Sequence, residues 1–276
     1  MTPFRFIFMA DCQLGAYATF SGMDEDDIAA FDARGMQVEI VPKVGGFEWD
    51  AERYRLAIET TNAISPAFVV MGGDMIDDAT DPAQLEELLR ITHQLNDDIP
   101  MLWVPGNHDI AADTVVPTQA SIDAYREMFG PDYYGFDHGD ARFVVLNTVV
   151  IDHPENVRDE LAEQMDFVEH ELSQSDNRSH TILLGHHPLF LESADEPDNY
   201  WNLPLQRRQP LLDLIHQHRV KIGFAGHWHR NSLAYAGEFE MVTSGPVGYP
   251  LGDDPSGVRI VDVGEERVLH EYVPLS

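Results

Sequence analysis

Five short clusters of metal-competent residues punctuate the chain: Asp11-Cys12-Gln13, Gly73-Asp74, Gly106-Asn107-His108-Asp109, Gly185-His186-His187 and Gly226-His227-Trp228-His229. Each arrives at the end of an apolar run. Together they supply carboxylate, amide and imidazole donors, a mixture that suits metals of intermediate hardness. Asp11 and Asp74 directly follow apolar residues, and a buried carboxylate without a partner is costly, so each calls for a cation or a proton. His186, His227 and His229 offer neutral imidazole nitrogen, while Asn107 and Gln13 offer carbonyl oxygen. Asp74, shared between two ions, would complete two coordination shells. Two ions about 3.5–4 Å apart lower the pKa of a shared water and clamp both oxygens of an in-line displacement. The expected nucleophile is therefore a bridging hydroxide. Cys12 is expected to be a small core residue.

The elements that must carry these clusters are legible as short β-branched or apolar runs: Phe4 to Ala10, Ala67 to Met71, Met101 to Val104, Arg142 to Leu146, Thr181 to Leu184 and Val220 to Ala225. Their length and flanking Gly or Pro predict buried strands. Amphipathic helices are predicted over 82–95, with Leu85, Leu88, Leu89, Thr92 and Leu95 on one face, and over 158–174 and 208–217. Asp81 before Pro82, with Gln84 three residues on, marks a helix start. Strands are also expected over Glu238 to Ser244, Val258 to Val263 and Arg267 to Tyr272, the last two joined through Gly264-Glu265-Glu266. Strand alternating with helix predicts an α/β fold. We expect two packed sheets with helices outside, in one domain over 1–276, with loop insertions at about 14–49 and 189–206. Loops of that length in compact domains often cover sites. Ligands at strand ends would gather where α/β folds place their sites, and glycines 73, 106, 185 and 226 permit close backbone approach.

Composition narrows the partners. The chain of 276 residues carries 48 acidic and 17 basic side chains, a formal charge of −31, and its only lysines are Lys43 and Lys221. Such a field repels nucleic acid and anionic membranes. It also predicts life in high salt, where screening shortens the reach of self-repulsion. No apolar stretch is long enough to span a bilayer, and the opening residues read as a first core strand, not a leader. A single cysteine excludes an internal disulfide and fits a reducing, cytoplasmic setting.

The motif series resembles the calcineurin-like metallophosphoesterases, whose pattern is D-x-H, GD, GNH(D/E), GH and GHxH. Every element is present in order, except that Gln13 stands where the commonest pattern has His. Branches of the superfamily with D-x-Q include the CPPED-type phosphatases and the manganese-dependent ADP-ribose or CDP-alcohol pyrophosphatases. The runs Pro188 to Ser193, Gly226 to Asn231 and Leu251 to Gly257 look most like the first of these. The resemblance implies a four-layer α-β-β-α sandwich of two mixed sheets flanked by helices. It implies one metal on Asp11, Gln13, Asp74 and His229, and a second on Asp74, Asn107, His186 and His227, the ions being of Mn, Fe or Zn type with Mn favoured for assay. It gives His108 the part of general acid or charge stabiliser facing the phosphate, with the Asp77 carboxylate orienting its ring. Asn107 would also face substrate. Asp109 is expected to stabilise its turn, His187 to point away from the metals, and Arg207 and Arg208 to be solvated on a helix face. The implied activity is phosphomonoester hydrolysis on a small-molecule or protein substrate, phosphoserine or phosphothreonine among them. The same centre cleaves phosphodiesters and nucleotide pyrophosphates, and Tyr200 and Trp201 could stack on a base. A non-catalytic scaffold is the remaining alternative. Oligomeric state is not legible.

Overall fold

The computed structural model describes residues 2–110, 116–175 and 178–275. The central apolar runs form strands buried on both faces. In β1 (Phe4–Met9), Phe6 and Phe8 face one way and Ile7 and Met9 the other, and all four are fully buried. A period of two with a core on each side demands a continuous apolar run.

Eleven strands are described. After β1 come β2 (Phe68–Met71), β3 (Met101–Trp103), β4 (Tyr134–His138), β5 (Ala141–Val145), β6 (His180–Leu184), β7 (Ile222–Ala225), β8 (Ser232–Ala236), β9 (Phe239–Thr243), β10 (Gly257–Val263) and β11 (Val268–Pro274). One sheet has the order β11-β10-β1-β2-β3 and the other β4-β5-β6-β7-β9-β8. Both are mixed. β1, β2 and β3 run parallel, as do β5, β6, β7 and β9, while β10, β11, β4 and β8 are antiparallel additions.

Helices fill the outer layers: α1 (Ala16–Thr19), α2 (Glu25–Asp32), α3 (Glu48–Ile64), α4 (Pro82–Thr92), α5 (Asn107–Ile110), α6 (Gln119–Phe129), α7 (Thr148–Asp152), α8 (Arg158–Ser173) and α9 (Leu205–Gln217). Ile7, Met9, Val69 and Met71 pack outward against Tyr54 and Ile58 of α3, Leu88 and Ile91 of α4 and Ile122 of α6. Val144, Leu183 and Met241 do the same against α8 and α9. Between the sheets lie Phe6, Phe8, Phe68, Phe143, Ile182 and Phe224, where Phe6 stacks on Phe68 at 5.1 Å and meets Phe143 edge-on at 5.5 Å. The expected α-β-β-α layering is the observed one. Among the described residues no helix is long and apolar enough to cross a membrane.

The differences have simple causes. β4 and β8 are edge strands, half-exposed, and lack the continuous apolar run that marks the buried strands. In α4 the inward residues are Gln84, Leu88 and Ile91, and Leu89 is exposed, so the predicted stripe was rotated. The segment after the first motif holds α1 and α2 and ends at Phe47, where α3 begins. Its side chains Met36 and Val38 join Leu191, Trp201, Tyr249 and Leu251 in a separate apolar cluster. The two predicted loops thus form one cap.

Candidate metal centre

The parallel strands deliver the clusters to one edge. Asp11 lies two residues beyond β1, Asp74 three beyond β2, Asn107 four beyond β3, His186 two beyond β6, and His227 and His229 just beyond β7. With Gln13, these seven side chains are all buried. The ligand atoms of Asp74, His186 and His227 lie within 4.8 Å of one another. Seven non-glycine residues have positive φ among those described, and five are Asp11, Gln13, Asp74, His227 and His229. Each costs about 1–3 kcal/mol and persists only where surrounding structure over-determines it. Two glycines let the backbones meet: a Cβ on Gly226 would stand 2.5 Å from Asp11 Oδ2, and one on Gly106 would collide with Asp74.

Each of the three histidines is fixed by a backbone carbonyl. His186 Nδ1 donates to Gly72 O at 2.9 Å, His229 Nδ1 to Tyr249 O at 2.6 Å, and His227 Nε2 to Tyr200 O at 3.0 Å. A carbonyl only accepts, so that nitrogen carries a proton and the other is the one a metal could use. The donor atoms are then His186 Nε2, His229 Nε2 and His227 Nδ1. His186 Nε2 lies 3.1 Å from both Asp74 Oδ2 and Asn107 Oδ1, and His229 Nε2 lies 3.6 Å from Asp11 Oδ1.

The electrostatics follow from burial and from the crowding of these groups. Burial pushes the Asp11 carboxyl up to about 6, against the pull of His229 and His186. Burial pushes Asp74 up as well, yet His186 and His108 beside it hold it well below the usual carboxylate range. His186 is pushed down by burial and drawn up by Asp74, to about 9. Burial drives His227 down to about 3. Gln13 Oε1 is buried and has no hydrogen-bond partner among the described residues. Such an orphan costs about 1–3 kcal/mol, which a cation would relieve. The donor set and this orphaned oxygen fit divalent metal ions.

His108 and Asp77 meet differently from the expectation. His108 Nδ1 donates to the Asp77 backbone oxygen at 2.7 Å, while the Asp77 carboxylate stands 3.7 Å away, beyond hydrogen-bond range. That carboxylate accepts from Gln13 Nε2 at 2.9 Å and Thr19 Oγ1 at 2.7 Å. Gln84, read from the sequence as part of a helix start, accepts from the N–H groups of Asp77 and Asp78 and so fixes this turn. Asp109 accepts from the N–H groups of Asp74, Met75 and Gly106, tying two ligand loops together. His187 Nδ1 is bonded to Thr148 Oγ1. Cys12 is buried, its thiol donating to Met75 O.

Trp201 is buried in the cap cluster, with Nε1 donating to Arg34 O at 3.3 Å, and it lines the site cavity together with Tyr200. One expectation nearby is corrected. Arg208 is not solvated on its helix. It is fully buried, donating to Ala194 O, Leu203 O and Glu196 O, and so satisfies carbonyls that a loop without regular structure leaves unpaired. Arg207 is half-buried and does not line the site cavity. The Tyr200 ring does line it, beside Phe20, Met36, Leu251 and His108, in a space of about 50 Å³.

Proteins similar to this chain point the same way. The serine/threonine-protein phosphatases CPPED1 of Pongo abelii and Homo sapiens are each 34% identical to this chain over 285 aligned residues, covering 99% of it and 84% of their own length. The fold is similar to that of a dimetal phosphatase from Danio rerio, with a TM-score of 0.63, 15% identity and 99% of each chain covered. The family model described as calcineurin-like phosphoesterase matches residues 4–231. The chain belongs to the calcineurin-like phosphoesterase family, and its five ligand-bearing strand ends all lie within the matched span.

Proposed function

We propose that this protein is a dinuclear metal-dependent phosphomonoesterase acting on phosphoserine or phosphothreonine. One observation carries the metal-dependent part: the buried ligand atoms of Asp74, His186 and His227 lie within 4.8 Å of one another, and the outer nitrogen of each candidate histidine is occupied by a carbonyl. The likeness to CPPED1 phosphatases supports the substrate class.

In this reading one ion is held by Asp11, Gln13, Asp74 and His229, and the other by Asp74, Asn107, His186 and His227. Bound divalent ions supply Lewis-acid activation of water and charge stabilisation at the phosphoryl group. The chain's own residues do the rest. His108 N donates to Asp74 Oδ1 at 2.9 Å, which seats the histidine against the shared carboxylate. Its ring, held at Nδ1 by Asp77 O, presents Nε2 to the phosphoryl group and delivers a proton to the leaving oxygen. Asn107 faces the same group. Tyr200 lines the entrance. The whole chain acts as one domain in a reducing, cytoplasmic setting, and the buried Cys12 thiol suits that setting.

Elemental analysis of purified protein, paired with a substrate panel supplied with Mn²⁺, tests this. We expect near two ions per chain, and a phosphoserine peptide and para-nitrophenyl phosphate turned over well ahead of the bis-ester and of ADP-ribose. Preference for the bis-ester or the pyrophosphate would overturn the monoesterase assignment, and a fully metal-loaded but inert protein would restore the scaffold alternative.

A further inference from the structure

A second cavity, of about 500 Å³, shares a wall with the site cavity. Met36 and Leu251 line the site cavity, and their neighbours Gln37 and Gly252 line this one. Gln37 N donates to Leu251 O at 3.2 Å and closes the wall. Tyr249 lines the second cavity, while its backbone oxygen holds His229 Nδ1. Two kinds of group meet there. Tyr17 stacks on Trp49 at 4.7 Å, and Trp49 meets Tyr249 edge-on at 6.1 Å. Glu39, Asp253 and Asp254 supply carboxylates against one guanidinium, that of Arg53, among the described lining residues. Asp254 accepts from Asn231 N at 2.7 Å. Glu39 and Asp253 are exposed, and their carboxylates have no ion pair or hydrogen bond among the described residues. Arg53 leaves them unneutralised, its guanidinium lying 5.0 Å over the Trp49 ring. Arg230, close by, is spent on Leu251 O and Gly35 O.

We propose that this cavity docks a basic side chain of a peptide substrate, an Arg or Lys about three residues from the phosphorylated one. The proposal rests on the phosphopeptide reading above. Aromatic rings attract a cation through their quadrupole, and Arg more often than Lys. Carboxylates left unpaired beside them complete the match, in a chain whose whole field draws cations in. Arg53 shows that a guanidinium is at home on these rings. The spacing follows from the shared wall. Met36 faces one cavity and Glu39 the other. They are three residues apart, so at most about 11 Å separates their Cα atoms, and an extended peptide covers that in about three residues. A phosphoryl group at the metal position thus puts a flanking Arg within reach of Glu39 and Asp253. Complementary charge of this kind sets which partner is chosen.

The test uses the full chain supplied with Mn²⁺ and three matched phosphoserine peptides at one ionic strength. One carries Arg three residues before the phosphoserine, one carries it three residues after, and one has Gln at both places. One of the Arg peptides shows a KM about fivefold below that of the Gln peptide. In Glu39→Gln/Asp253→Asn the two KM values converge. Glu265→Gln/Glu266→Gln removes the same charge from the turn between β10 and β11, beside the start of β1 and so at the far end of that sheet from the ligands, and it keeps the preference. Equal KM values in the parent, a preference that survives in Glu39→Gln/Asp253→Asn, or one lost equally in the Glu265/Glu266 variant overturns the docking site. NMR titration of the metal-free protein with the unphosphorylated peptides repeats the comparison without turnover. Arg-dependent binding with no phosphopeptide hydrolysed would count against the reaction and leave the docking site standing. Hydrolysis with no Arg preference counts against the docking site alone.

Discussion

Tyr200 reaches His227 through its backbone oxygen, 3.0 Å from Nε2, while its ring turns to the site cavity. The carbonyl is held there by side chains remote from the metal position. Glu196 accepts from the N–H groups of Leu191, Glu192 and Ser193, and Arg208 donates to three carbonyls of the same loop. The loop is therefore a built scaffold for one hydrogen bond.

Arg208→Gln tests that scaffold. It strips buried carbonyls of charged donors, each such bond being worth about 1.5–3 kcal/mol. We expect a clear fall in unfolding free energy, of order 3 kcal/mol. Affinity for the ion on His227 falls while the other ion is retained. Loss of both ions in step would show a general collapse instead.

In the proposed reading, Asp74 and His108 divide ligation from turnover. Asp74→Ala would then remove a carboxylate common to both ions, and metal content and activity are expected to vanish together. His108→Ala slows turnover by about 10²-fold or more and leaves metal content nearly intact. Elemental analysis of both variants decides, and equal metal loss would sink the division.

Asp50 predicts a pH dependence of stability. It is buried beneath α1, accepting from the N–H groups of Gly15 and Tyr17, and burial pushes its carboxyl up to about 7. The folded-state pKa is above the unfolded value, so the folded chain binds the extra proton between about pH 4 and 7. The contribution of Asp50 to stability is full below that window and is lost as pH rises through it, by up to about 4 kcal/mol at 1.36 kcal/mol per unit. Asp50→Asn removes the titration. Denaturant melts should show the variant gaining on the parent from pH 4 to 7, and a constant difference would contradict the assignment.

The charge of −31 predicts salt-dependent stability. The first turn of α2 alone carries Glu25, Asp26 and Asp27 behind Asp24. The melting temperature should rise by of order 5 °C between low salt and molar KCl as self-repulsion is screened. A flat or falling curve would remove the case for a high-salt habitat.

The sequence by itself marked the layered α/β fold and seven polar side chains that the structure buries near strand ends, because both depend on local facts. A strand buried on two faces must be an apolar run, and a polar residue just past its end stands out. Asp11 after Met9 and His186 after Leu184 could be read without knowing what they would meet. Tertiary structure alone decided what is set by partners distant in sequence. Whether Asp77 orients His108 by its carboxylate or its backbone, what anchors Trp201, and whether Arg208 is solvated all depend on which groups the packed sheets bring alongside. The same holds for Gln13. Its type was visible in the chain, but the contact of its amide with Asp77, across 64 residues of sequence, exists only once two strand ends and the cap converge.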